Sequence, residues 1–275
     1  MSTPDIAARL LLATDEAMGD EARSLAQQLC DENLRRQTEE AELVTQAKKA
    51  IETDPAVGAH NVLVVGGLGW HRGVIGIAAS KLVDTYHKPS IVLSIDGEVA
   101  HGSCRSIPDF DLLAALEQCA DLFVKFGGHK QAAGLTMDAS QVPEFRRRIN
   151  AYADAVIEPD QLRPRLRIDA PLSLRAITHD LVRGLDLLAP WGLANPRPVF
   201  HASGVEIVDG PRTIKERHLK MTFAQEGRRF RAIAWRAVER AAFLESNRSG
   251  VNLAFSLDKN EFQGETYLEL SVADF

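Results

Sequence analysis

The sequence predicts an α/β domain followed by an all-β domain, with a long helix in front of both. Three observations carry this reading. Between residues 56 and 158, short apolar runs with glycine stops alternate with segments of helical period. After residue 165 the segments become short, strand-like and punctuated by turn residues. Before residue 55 the pattern is helical only. The expected boundaries are 1–55 for connecting helices, 56–160 for the α/β domain and 161–275 for the β domain.

Residues 20–52 hold no proline, and Ala22, Leu25, Leu29, Ala41, Val44, Ala47 and Ile51 recur at helical spacing around a polar middle. One long helix ending before Asp54-Pro55 is predicted, with a shorter one near 5–13. Long, thinly apolar helices often bridge domains. NVLVVGGLG (61–69) and SIVLSI (90–95) read as buried strands, and HRGVIGIAASKLVDTYHK (71–88) as the helix between them. EVAHGSCRS (98–106) reads as a third strand. Asp109 or Asp111 is placed to cap a helix, DLLAALEQCADLFVKF, that carries Leu112, Leu116, Cys119 and Phe123 on one face. Gly127 then suits a left-handed helix C-cap. AAGLTM follows as a strand and VPEFRRRINAYADAVI (142–157) as a helix.

Pro159 and Pro164 bracket a linker. Strands are expected at RLRID, PVFHASGVEIV, HLKMTFAQ, RRFRAIAWR, VNLAFSLDKN and TYLELSVAD, with turns at Glu226-Gly227, Ser249-Gly250 and Gln263-Gly264. Helices are expected at 178–188 and near 237–245. Five or six short strands with a helix among them suit an OB-like barrel.

The net charge of -6 is unevenly spread. Residues 1–60 hold 6 Lys and Arg against 12 Asp and Glu, while residues 163–275 hold 17 against 14. A basic face in the C-terminal part therefore remains available to nucleic acid. No apolar run reaches the ~18 residues of a membrane span, and MSTPDIAARL lacks the features of a secretory signal. Cys30, Cys104 and Cys119 have no CxxC spacing, which favours a reducing, cytoplasmic setting.

GxSxG, HExxH, Walker and GxGxxG motifs are absent, and the eight histidines lack paired ligand spacing. Asp109-Phe110-Asp111 could hold a divalent ion, but its place before an apolar period favours a helix cap. No complete catalytic centre is legible. KFGGHKQAAGLTM (125–137) is different. Its Gly127, Gly128 and His129 suit an anion held by amide N–H groups, though a glycine-rich helix stop fits the same letters. In HGSCRS (101–106), Ser103 and Arg105 fall on one side of a strand and form an apt phosphate clamp. His71 and Arg72 lie at a strand-to-helix turn, where anions bind naturally, although His71 also fits an ordinary loop.

GWHRGVIGIAAS, HGSCRS and FGGHKQAAG, in that order, resemble the DHH-associated domain of RecJ-type single-strand DNA exonucleases of the DHH phosphoesterase superfamily. The GGH-xx-AAG element is shared across that superfamily. LAPWGLANPRPVF, HLKMTF and NEFQGETYLEL resemble the RecJ OB region, and ARLLLATDEA and NLRRQTEEAE its connecting helices. The resemblance spans almost the whole chain. It implies that Ser103 and Arg105 grip a phosphate of single-stranded DNA, the 5′-terminal one among the candidates, and that Gly127, Gly128 and His129 close over the phosphate chain. It further implies a 5′-to-3′ exonuclease of DNA repair and recombination, whose catalytic half binds two metals, Mg or Mn, through aspartates and an Asp-His-His triplet. This sequence contains no such triplet. It is expected to be a truncated piece that binds no cofactor itself and does not cut alone. A stand-alone binding protein and a relative acting on short oligonucleotides are the other readings.

Residues 211–231 hold seven Lys and Arg and two Glu, interleaved with Phe223 and Phe230. Lys220, Arg229 and Arg231 are the expected DNA contacts of the OB-like domain, with either aromatic a candidate stacking platform.

Overall fold

The long N-terminal helix buries little of its length. In the computed structural model, which describes residues 4–13, 19–262 and 265–275, α1 spans Pro4–Leu12 and α2 spans Gly19–Thr53. Leu43, Ala47 and Ile51, each four residues apart, form the buried stripe near the C-terminal end of α2. Nearer the middle, buried Glu40 accepts from Arg36 at 2.7 Å and pairs with Lys81 of the following α/β layer. Asp54 then caps the one-turn α3 (Pro55–Gly58), its carboxylate accepting from Ala56 N at 2.9 Å.

Sheet one follows. β1 (Leu63–Leu68) runs parallel to β2 (Ser90–Asp96), with α4 (Ile75–Tyr86) as the crossover. β3 (Val99–Arg105), β4 (Phe123–Gly128) and β5 (Ala132–Asp138) complete the sheet in the order β1-β2-β3-β5-β4, the last three pairings antiparallel. α5 (Leu112–Glu117) and α6 (Val142–Val156) cover one face, burying Ile91, Leu93, Cys104, Leu135 and Met137. On the other face α2 and α4 bury Leu63, Val65 and Val92. Asn150 and Arg146 of α6 also bind the backbone at this sheet edge, through N and O of Val62, just before β1, and through Val64 O within it, which satisfies groups that an edge strand leaves open.

Three expectations in this region are corrected. The helix expected over 71–88 begins only at Ile75, because His71–Val74 form a turn in which Val74 N donates to His71 O at 2.9 Å. The helix expected through Phe126 stops at Glu117, and Phe123–Gly128 is a strand. Phe123 still reaches the same core, meeting Phe145 edge-on with ring centroids 5.2 Å apart. A strand does so while pairing its backbone with β5. Gly127 is therefore no helix C-cap; it lies opposite Gly134 in the β4–β5 ladder. The cap expectation at Asp111 stands: its carboxylate accepts from Ala114 N at 3.1 Å.

The chain divides into two compact units, Met1–Pro164 and Arg165–Phe275. In the second, β6 (Ala170–Pro171) and α7 (His179–Asp186) precede β7 (Phe200–Ile214), β8 (His218–Gln225) and β9 (Arg228–Ala234). α8 (Ala241–Ser246), β10 (Val251–Phe262) and β11 (Glu265–Asp274) follow. The ring β7-β8-β9-β11-β10 closes through the β10–β7 pairing, with β9 and β11 parallel. This is a five-stranded barrel of the OB type. RLRID is not a strand; only Ala170–Pro171 pair with β7. Glu226 and Gly227 take φ 48 and 78, the pair of positive values that a two-residue hairpin turn prefers. Gly250 turns with φ 73, while the turn expected at Gln263-Gly264 lies outside the described residues.

Candidate nucleic-acid interface

Strand alternation sends His101, Ser103 and Arg105 to the face opposite Cys104. That face carries α2 and α4 over β1 and β2. Over β3, β5 and β4 it opens into a groove lined by Arg72, Ile75, His101, Ser103, Lys125, Gly127, Gly134 and Thr136. The register explains the lining: His101 lies opposite Thr136, Ser103 opposite Gly134, and on the next strand Lys125 and Gly127 lie opposite Thr136 and Gly134. Two facing glycines leave the floor without side chains.

The first turn of α4 closes one end of this groove. A Cβ on Gly76 would lie 3.0 Å from Ser103 Oγ and 3.3 Å from Arg105 Nη2, so glycine permits the approach. Arg105 Nη1 donates to Cys104 O at 2.9 Å and to Ser103 Oγ at 3.3 Å. These bonds orient the guanidinium. Among the described residues no carboxylate lies within ion-pair reach of half-buried Arg105, and the same holds for Arg72 and Lys125. Arg72 and Lys125 line the groove, while Arg105 lies just outside that lining, bonded to Ser103; together they present an electropositive surface to an anion.

His101 Nδ1 lies 3.3 Å from Thr136 Oγ1. Burial, then the positive charges of Arg72 and Lys125, push its pKa below the usual imidazole value against a smaller opposing pull from Asp96. The imidazole is therefore neutral at pH 7. Cys104, on the opposite face, is fully buried and its thiol is pushed up to about 12, so it is an inert core residue.

The hairpin at 128–132 differs from its expected form. His129 N donates to Ala132 O at 2.8 Å and the residue is exposed at the tip of the β4–β5 hairpin, outside the groove lining. Gly128 takes φ 151, and a Cβ there would lie 2.4 Å from Ala132 O. His71 is separated from Arg72: its Nδ1 accepts from Gly73 N at 3.0 Å, and it lines another hollow with Glu39, Glu42 and Trp70. His101, Lys125 and Thr136 escaped the sequence reading. The first was legible as the same-face neighbour of Ser103; the others needed the β4 strand and its register.

On the barrel, Arg229 and Arg231 are exposed and pair with Ala224 and Thr222, while exposed Lys220 pairs with Ile233. All three point outward. Phe223 and Phe230 point inward into the barrel core, so neither is a stacking platform.

Two family models match in succession: the DHHA1 domain over residues 59–155 and the RecJ OB domain over residues 168–274. The chain carries these two domains in the order found in RecJ and is similar to the C-terminal part of that protein. It is 31% identical over 98% of its length to the protein named single-stranded-DNA-specific exonuclease RecJ of Bacillus subtilis, and covers 34% of that protein. The RecJ of Thermus thermophilus is 33% identical over 98% of this chain, which covers 39% of it. Crystal structures of Thermus thermophilus RecJ in complex with Mg2+ and with Mn2+ match with TM-scores of 0.76 and 0.78, at 30% identity and over 98% of this chain. The chain covers 40% and 38% of those two structures. The matched region corresponds to the C-terminal part of RecJ, a DHHA1 domain followed by its OB domain.

Proposed function

We propose that this chain grips single-stranded DNA for a RecJ-type exonuclease acting 5′ to 3′ in DNA repair and recombination in the cytoplasm. The groove of unpaired cations around the Gly127 and Gly134 floor carries the reading. Ser103 and Arg105 receive a terminal 5′ phosphate beside the first turn of α4, through charge-assisted hydrogen bonds. Lys125 and Arg72 receive the following phosphates, and neutral His101 offers a further polar contact. The glycine floor admits the strand close to the backbone. Lys220, Arg229 and Arg231 hold the strand on the barrel by charge.

Hydrolysis belongs to a catalytic DHH part of the same protein, with Mg or Mn as the ions. Among the described residues, no three His, Cys, Asp or Glu side chains converge as a metal site requires. The residues of the groove and of the barrel bind and orient the strand.

Equilibrium binding of the purified chain to a 5′-phosphorylated strand, its 5′-hydroxyl counterpart and a blunt duplex tests the reading. Tightest binding to the phosphorylated strand is expected. Equal binding to all three overturns it.

A further inference from the structure

The barrel carries one exposed tryptophan among the cations of its β8–β9 face. Trp235 follows the last residue of β9 and keeps 57% of its surface in solvent. Its ring meets the His218 imidazole at 75°, with centroids 4.9 Å apart. His218 is itself fixed: Nδ1 accepts from Arg236 N at 2.9 Å, which leaves Nε2 carrying the proton. The tryptophan therefore has an anchored edge and an open surface.

Cations outnumber carboxylates around Trp235, with Glu239 and Asp274 lining the hollow beside the ring and Glu269 opposite Arg231 in the β9–β11 ladder. Arg217, Lys215 and Arg236 lie near enough to His218 to depress its protonation, after burial. Upstream on the same outward face of β9 stand Arg231 and Arg229. Among the described residues none of these five has a carboxylate within ion-pair reach, whereas nearby Arg212 and Arg240 pair with Asp209 and Asp274. Arg229 and Arg231 are two residues apart, about 6.6 Å along a strand. That distance approaches the spacing of successive phosphates in an extended single strand. A flat π surface at the end of such a row suits an unpaired base, because a single strand offers a π face beside each phosphate.

We propose that Trp235, braced by His218, is the stacking platform for one unpaired base of a single strand whose phosphates run along Arg231 and Arg229. This rests on the single-strand reading above, and adds a contact to the base rather than to its phosphates. Because every base has a π face, the platform holds single strands without choosing their sequence. It excludes duplex, whose bases are already stacked.

The test measures binding of the full chain to a short oligothymidylate and to a strand of equal length made of abasic sugars. Trp235→Leu, which keeps apolar bulk without a π face, is expected to weaken oligothymidylate binding about tenfold. The abasic strand should bind both proteins alike, and Trp235→Tyr should recover most of the loss. Unchanged oligothymidylate binding in Trp235→Leu overturns the platform and leaves the single-strand reading standing. Equal loss on both strands also overturns it, by assigning Trp235 a structural role. Failure of the wild-type chain to bind either strand overturns both.

Discussion

Gly76 lies against Ser103: a Cβ at position 76 would stand 3.0 Å from the serine hydroxyl. The glycine sits in the first turn of α4, where alanine is the better helix former by about 0.5–1 kcal/mol. The clash falls on a hydroxyl that can rotate. Gly76→Ala should therefore hold or raise the melting temperature while weakening binding of a 5′-phosphorylated strand. Calorimetry and a binding titration on the same sample decide it. Unchanged affinity would show that the hydroxyl's position is irrelevant.

Arg105→Ala should weaken single-strand binding by tenfold or more, since a charge-assisted hydrogen bond is worth roughly 1.5–3 kcal/mol. The loss should be larger for a 5′-phosphate than for a 5′-hydroxyl end. His129→Ala, at the exposed hairpin tip, should cost less. A strong fall in melting temperature with affinity intact would make Arg105 a structural residue.

Gly127 and Gly128 are neighbours with opposite expectations. No atom lies within 4 Å of a Cβ on Gly127, so Gly127→Val should fold normally yet fill the groove and lower affinity. Gly128 has φ 151 and no room, so Gly128→Val should destabilise the hairpin by about 1–3 kcal/mol or more. Denaturant melts of both variants, beside their DNA affinities, separate the two. Equal destabilisation would contradict the open floor.

His101 predicts a pH dependence. Its folded pKa lies below the ordinary value of 6.5, first through burial and then through Arg72 and Lys125. The unfolded chain therefore binds more protons over that interval. The contribution to stability is complete above pH 6.5 and is lost as pH falls through the lower folded value. Arg72→Ala and Lys125→Ala should each raise the midpoint of the His101 imidazole in an NMR titration. Two unmoved midpoints would place those charges away from the groove.

Salt dependence tests the barrel. Each phosphate contact on a single strand contributes about -0.7 to the slope of log affinity against log salt. Replacing Arg229 and Arg231 together by alanine should flatten the slope by roughly 1.4. A slope identical to wild type would make the pair ordinary surface residues.

Much of the molecule was legible locally. Apolar runs with glycine stops located β1 and β2, Asp111 announced the start of α5, and Glu226-Gly227 marked a hairpin. The alternation of HGSCRS by itself puts Ser103 and Arg105 on one side of a strand, as β3 has them. Tertiary structure decided the rest, because those questions are settled by partners distant in sequence. FVKF fits a helix or a strand by its own letters; pairing with β5 made it a strand and carried Lys125 and Gly127 into the groove. Period-two patterning says that Phe230 and Arg231 face opposite ways, but barrel closure through β10 and β7 chose which way is inward. That closure buried the two phenylalanines and left Trp235 outside, braced by a histidine seventeen positions earlier in the chain.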